Sequence, residues 1–101
     1  MSDSAVIVRN AWRAGLMVPA FNVPYLPMVE PVVRAVADTD SFAFVETARL
    51  EWFKFEAQGL DAVMEAYRPC ARPEHVRLHL DHVPVIDEDG LQVDYLPIFE
   101  Q

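Results

Sequence analysis

Three short apolar runs, separated by stripes of apolar residues at helical spacing, constrain this chain more than any other feature. The runs cover residues 16–23, 42–45 and 76–82. Between the first two, Val29, Val32, Val33 and Val36 fall at i, i+3, i+4 and i+7; between the last two, Leu60, Val63, Met64 and Tyr67 repeat that spacing. A period near 3.6 puts each set on one face of a helix, whereas runs of this length suit buried strands. Strands alternating with helices call for parallel pairing with helices packed on the sheet, so the expected fold class is α/β. No spacing is constant enough to mark a sequence repeat.

The third run carries an additional pattern. Val76-Arg77-Leu78-His79-Leu80-Asp81-His82 alternates apolar and polar residues with period two, the mark of a strand whose two faces differ chemically. His79 and Asp81 share one face, Leu78 and Leu80 join Val76 on the other, and His82 follows the strand end.

Local signals set the boundaries. Ser4 is placed to cap a first helix over about residues 4–14, and Gly15 suits a left-handed stop. Strand one centres on Ala20 to Asn22, because Pro19 is tolerable only near a strand's beginning. Pro24 and Pro27 lead into the valine helix, with Pro31 harmless in its first turn. Asp38-Thr39-Asp40-Ser41 is a turn cluster, after which the second strand ends near Glu46 and Thr47. Residues 50–67 are helical with an interruption at Gly59, and Pro69 and Pro73 end that segment. Asp87-Glu88-Asp89-Gly90 is a solvated turn; Asp94 then caps a helix with Pro97 in its first turn. A helix that opens with a cap and has no stop signal reads as cut, and three parallel strands leave two open edges and half-covered faces. The expectation is one partial domain over residues 1–101, belonging to a longer βα chain.

Composition narrows the function classes. A length of 101 residues holds one domain or a piece of one, and 52% apolar with 24% charged residues describes a chain that builds a core. Sixteen acidic against eight basic residues, a net charge of −8, offer phosphate backbones and anionic lipid surfaces little attraction. Neither a nucleic-acid nor a membrane partner is expected. The lone Cys70 cannot form an internal disulfide and fits a reducing compartment as an inert buried or loop thiol. No apolar run is long enough to cross a bilayer, and the N-terminal residues lack the order of a secretory signal. A soluble, cytoplasmic protein is the expectation.

The His79 and Asp81 face admits two readings. In an open sheet it would simply be wet; in a βα barrel it would point to the interior, and polar residues at the C-terminal ends of barrel strands are where catalytic groups sit. There Asp81 could move protons, and a neutral His82 could donate a nitrogen lone pair to a divalent metal. One histidine is not a metal site, since catalytic zinc generally needs about three protein ligands. His75, in the loop before the strand, is expected to be an exposed bystander.

Ala20-Phe21-Asn22 followed by a helix, and Leu78-His79-Leu80-Asp81-His82 on a third strand, resemble the AFN and HLDH segments of class II, metal-dependent ketose-bisphosphate aldolases. The likeness runs over nearly the whole chain, and HLDH is the more specific motif. The resemblance implies the N-terminal portion of a TIM-type (β/α)8 barrel, about three βα units. It implies a cytoplasmic lyase of carbohydrate metabolism, of the glycolytic kind. The complete enzyme would cleave a phosphorylated ketose to dihydroxyacetone phosphate and an aldehyde, and homo-oligomerisation is expected of it. By the same resemblance Asp81 is the catalytic aspartate, exchanging a proton with the hydroxyl beside the carbon–carbon bond. His82 is a ligand of Zn2+, which polarises the ketone. Asn22, at the mouth of strand one, and Thr47, which stands where many members have serine, are substrate-binding residues.

Two departures qualify the likeness. Val83 and Pro84 follow the HLDH histidine where the family commonly has glycine. The remaining metal ligands and the glycine-rich phosphate loops of the family belong to later strands, so the chain alone is expected to be inactive. Glu46 has no trusted counterpart, Trp52, Phe53 and Phe55 read as packing or subunit-contact residues, and Lys54 is a poor Schiff-base candidate. The competing reading is a non-catalytic α/β interaction module or the remnant of a broken aldolase gene.

Overall fold

A computed structural model describes residues 3–86 and 90–100 of the chain. Helix α1 (Asp3–Arg13) precedes strand β1 (Ala20–Asn22), helix α2 (Val29–Asp38) and strand β2 (Ala43–Ala48). Helices α3 (Arg49–Lys54) and α4 (Leu60–Tyr67), strand β3 (Val76–Asp81) and the short helix α5 (Leu96–Phe99) follow. The three strands form one parallel sheet in the order β1-β2-β3. This is an α/β arrangement of the kind that begins a TIM barrel.

Register fixes the two faces. Phe21, Val45 and Leu78 are level, as are Asn22, Glu46 and His79, and Ala48 pairs with Asp81. Partners in a parallel ladder project to the same side, so alternate residues belong to opposite faces. One face carries Ala43, Val45 and Val76 into a core completed by Val29, Val33 and Val36 of α2 and Val63 of α4. Both expected helical stripes therefore cover the same side of the sheet. The other face carries Asn22, Phe44, Glu46, Arg77, His79 and Asp81, and α1 reaches across part of it, sharing a cleft with Phe44 and His79.

The local signals act as chemistry requires, with shifts at the element ends. Gly15 closes α1 at φ +71°, where its N–H donates to the Trp12 carbonyl and the next N–H, of Leu16, to the Ala11 carbonyl. Because α1 starts at Asp3, Ser4 lies within its first turn and is not the cap. The helical segment before Tyr67 breaks over residues 55–59, wider than Gly59 alone, and Glu56 N–H donates to the Pro24 carbonyl there. Asp94 does not cap α5: the helix opens one residue later than its reach, after Tyr95, with no side-chain cap. The expected acidic turn falls on 87–89, outside the described residues. Phe21 lies on the helix-covered face beside Val32 and Val36, not among the residues facing the barrel interior.

Candidate active site

In a parallel sheet every strand delivers its C-terminal residue to the same rim. Asn22, Thr47, Asp81 and His82 accordingly lie along one edge of the molecule: Asn22 and Asp81 end β1 and β3, Thr47 is the last residue but one of β2, and His82 lies just beyond β3. Pleat separates them by face. Asn22, Glu46, His79 and Asp81 share the face opposite the core, whereas Thr47 belongs with Val45. Thr47 is buried, and its hydroxyl accepts the indole N–H of Trp52 at 3.2 Å, which docks α3 against the end of β2. Thr47 thus shares the rim without joining the polar face.

β2 and β3 bring three donor side chains together. Among the described residues, Glu46, His79 and Asp81 offer ligand atoms that all lie within 4.8 Å of one another. His79 Nε2 stands 3.9 Å from Glu46 Oε2, and the Phe44 ring flanks the imidazole with centroids 5.9 Å apart. The Glu46 side chain is 13% exposed and that of Asp81 26%, so both carboxylates are substantially shielded. His82 turns back over the same mouth with φ +44°, placing Nε2 3.4 Å from Asp81 Oδ2 while its side chain stays 78% exposed. A non-glycine residue in the left-handed region costs on the order of 1 kcal/mol.

Imidazole nitrogen and carboxylate oxygen are both donors that zinc accepts, so the chemistry of this face fits a divalent metal. Glu46 is the residue that sequence reading passed over. It belongs to neither motif, and its signal is purely geometric: in register with His79, it must share its face. His75 stands outside this group, at the opposite end of β3, where its Nδ1 pairs with the Ser41 carbonyl at 2.8 Å and ties the start of β3 to the turn before β2. Trp52 packs against the core, as a packing residue should, while Phe53 stays exposed with the Arg49 guanidinium 4.7 Å from its ring centre.

Cys70 is a half-buried free thiol whose Sγ donates to the carbonyls of Ala66 and Tyr67. Burial, with the nearby charge of Glu30 second, holds its pKa above the ordinary thiol value, so it is a poor nucleophile. No helix among the described residues is long and apolar enough to cross a membrane. Comparison with curated proteins and with solved structures gave no match. The model of the family described as fructose-bisphosphate aldolase class-II, by contrast, matches residues 2–92, both strand-end motifs included. With its parallel strands delivering those motifs to one rim, this chain belongs to the class-II fructose-bisphosphate aldolase family.

Proposed function

We propose that residues 1–101 make up one partial domain, the first strands and helices of a TIM-type barrel. The complete enzyme of which they are part would carry out metal-dependent aldol cleavage and condensation of a phosphorylated ketose. The observation that carries this reading is the convergence of Asn22, Asp81 and His82 at the C-terminal rim of a parallel sheet, within a chain of aldolase family. Class-II aldolases are generally zinc-dependent. His82, at the lip of the mouth, would hold the ion together with donors from later strands. When bound, zinc supplies Lewis-acid chemistry at the ketone oxygen.

The chain's own residues divide the remaining work. Asp81, shielded on the polar face, exchanges a proton with the hydroxyl beside the scissile carbon–carbon bond, a role that needs a carboxylate in reach of that oxygen. Asn22, on the exposed edge strand, offers an amide donor and acceptor to the sugar phosphate. Thr47 contributes indirectly by fixing Trp52 and with it the turn from β2 into α3. A cytoplasmic setting and a homo-oligomeric complete enzyme go with this reading.

The test is cleavage of fructose bisphosphate, with and without a chelator, by the purified 101-residue chain and by the chain extended along its reading frame. The short chain should be inactive and the extended one active. Asp81→Asn should lower turnover of the extended chain by at least about a hundredfold, and His82→Ala should abolish metal-dependent turnover. Chelator-sensitive cleavage by the short chain would show that its active site is complete. A continuation without strand-end histidines or glycine-rich loops would favour the non-catalytic module.

A further inference from the structure

We infer that Arg77 is the anchor for a carboxylate carried by the next strand of the barrel, which joins the sheet at the open edge of β3. The inference rests on the partial-barrel reading and adds the side-chain chemistry that the joining strand brings. The Nε–H of Arg77 is buried and has no hydrogen-bond acceptor among the described residues. A buried lysine or histidine can relieve such a position by giving up its proton, but a guanidinium stays charged, so an acceptor has to come to it. Buried polar groups in folded proteins are paired with few exceptions, and an unpaired nitrogen here marks a surface that a further group covers.

Register shows from which side that acceptor arrives. Arg77 lies on the polar face, level with Phe44 of β2, whose ring offers no carboxylate. Its neighbours two residues away along the chain are His75, engaged with the Ser41 carbonyl, and His79, beside Glu46; both imidazoles are already turned to oxygen partners. The remaining side is the open edge of β3. The order β1-β2-β3 advances one way and both helical stripes cover the same face, so the next βα unit adds its strand at that edge. Neighbouring strands lie about 4.8 Å apart, and opposite charges directly across such a pair attract. Asp or Glu fits there, because a carboxylate accepts two N–H bonds from the guanidinium fork and cancels its charge. The pairing lies in the N-terminal half of β3, away from Asn22, Asp81 and His82 at the rim, and leaves their chemistry untouched.

The test compares the 101-residue chain with the chain extended along its reading frame, whose added strand should carry an Asp or Glu level with Arg77. Arg77→Met keeps the apolar stem and removes the charge, so it should leave unchanged or raise the urea midpoint of the short chain and lower that of the extended one. Changing the acidic residue to its amide should lower the extended chain's midpoint as well, and the two changes together should cost less than their sum. In the unmodified extended chain the Arg77 Nε–H should exchange with solvent more than about tenfold slower than in the short chain, while that of the exposed Arg34 on α2 should not. The exchange is read without mutation, so it decides the matter even if a variant fails to fold. An added strand with no acidic residue at that level, equal effects of Arg77→Met in both chains, strict additivity or unchanged exchange would overturn the assignment. So would a short-chain midpoint that rises with concentration only while Arg77 is present, since a second copy would then be the occupant. An extended chain that shows the coupling without cleaving fructose bisphosphate supports the pairing and fails the functional reading; one that cleaves it without the coupling does the reverse.

Discussion

Single side chains here do their work through burial more than through charge. Val45 is fully buried at the centre of the middle strand, between the two valine-bearing helices. Val45→Ala should cost about 2 kcal/mol, read as a lowered midpoint of urea unfolding with unchanged slope. Tyr67 shows the same principle in titration. Its hydroxyl donates to the Val76 carbonyl at 2.9 Å, and burial raises its pKa above the ordinary value of 10.0 despite the opposing Arg72 hydrogen bond and Arg77 charge. Cys70 is shifted upward from 9.0 for the same first reason. In both cases the unfolded chain releases its proton before the folded one does. Their stabilisation is therefore complete below about pH 9 and falls as pH climbs through the folded pKa values. Unfolding midpoints between pH 8 and pH 11 should decline. Tyr67→Phe should flatten the part above about pH 10 at a cost near 1 kcal/mol at neutral pH from the lost hydrogen bond.

Elements are held by their ends, and the ends explain what sequence reading could and could not reach. Gly15 adopts φ +71° with open space around it, so an added methyl would meet no neighbour and only the backbone conformation would object. Gly15→Ala should therefore fray α1 at a cost of about 1 kcal/mol, seen as lost helical ellipticity and faster amide exchange at Leu16. That stop was legible because glycine is nearly the only residue that makes it. Start signals were less legible: α3 opens after Ala48, which has no capping side chain, and the Glu51 carboxylate accepts the Ala48 N–H at 2.9 Å instead. The alternation in residues 76–82 disclosed which side of β3 is polar. The apolar run around Phe21 has no alternation, so the face of β1 could be known only from its pairing with Val45. Glu46 escaped for the related reason that partnership across strands is not written in either strand alone.

At the scale of the molecule, the decisive fact is that, among the described residues, one sheet face is packed into the core and both edges are open. β1 is an edge strand of three exposed residues, and β3 has no neighbour beyond it among the described residues. The radius of gyration is 14.4 Å, against about 13 Å for a compact domain of this length. Beyond Gly15 the chain leaves Leu16 67% and Met17 95% exposed, and Trp12 on α1 is 83% exposed. Each large apolar side chain left in water forgoes roughly 1.5–3 kcal/mol, and a few such losses equal the roughly 5–15 kcal/mol that stabilises an ordinary domain. Unpaired strand edges supply the hydrogen-bonding groups through which another chain can relieve that deficit. The purified chain should therefore self-associate or populate a loosely packed state. Its sedimentation coefficient should rise with concentration, and dilution should broaden the thermal transition and lower its midpoint. A sharp, concentration-independent melt of a dilute monomer would mean that the exposed faces cost far less than their area implies, and would count against the partial-barrel reading.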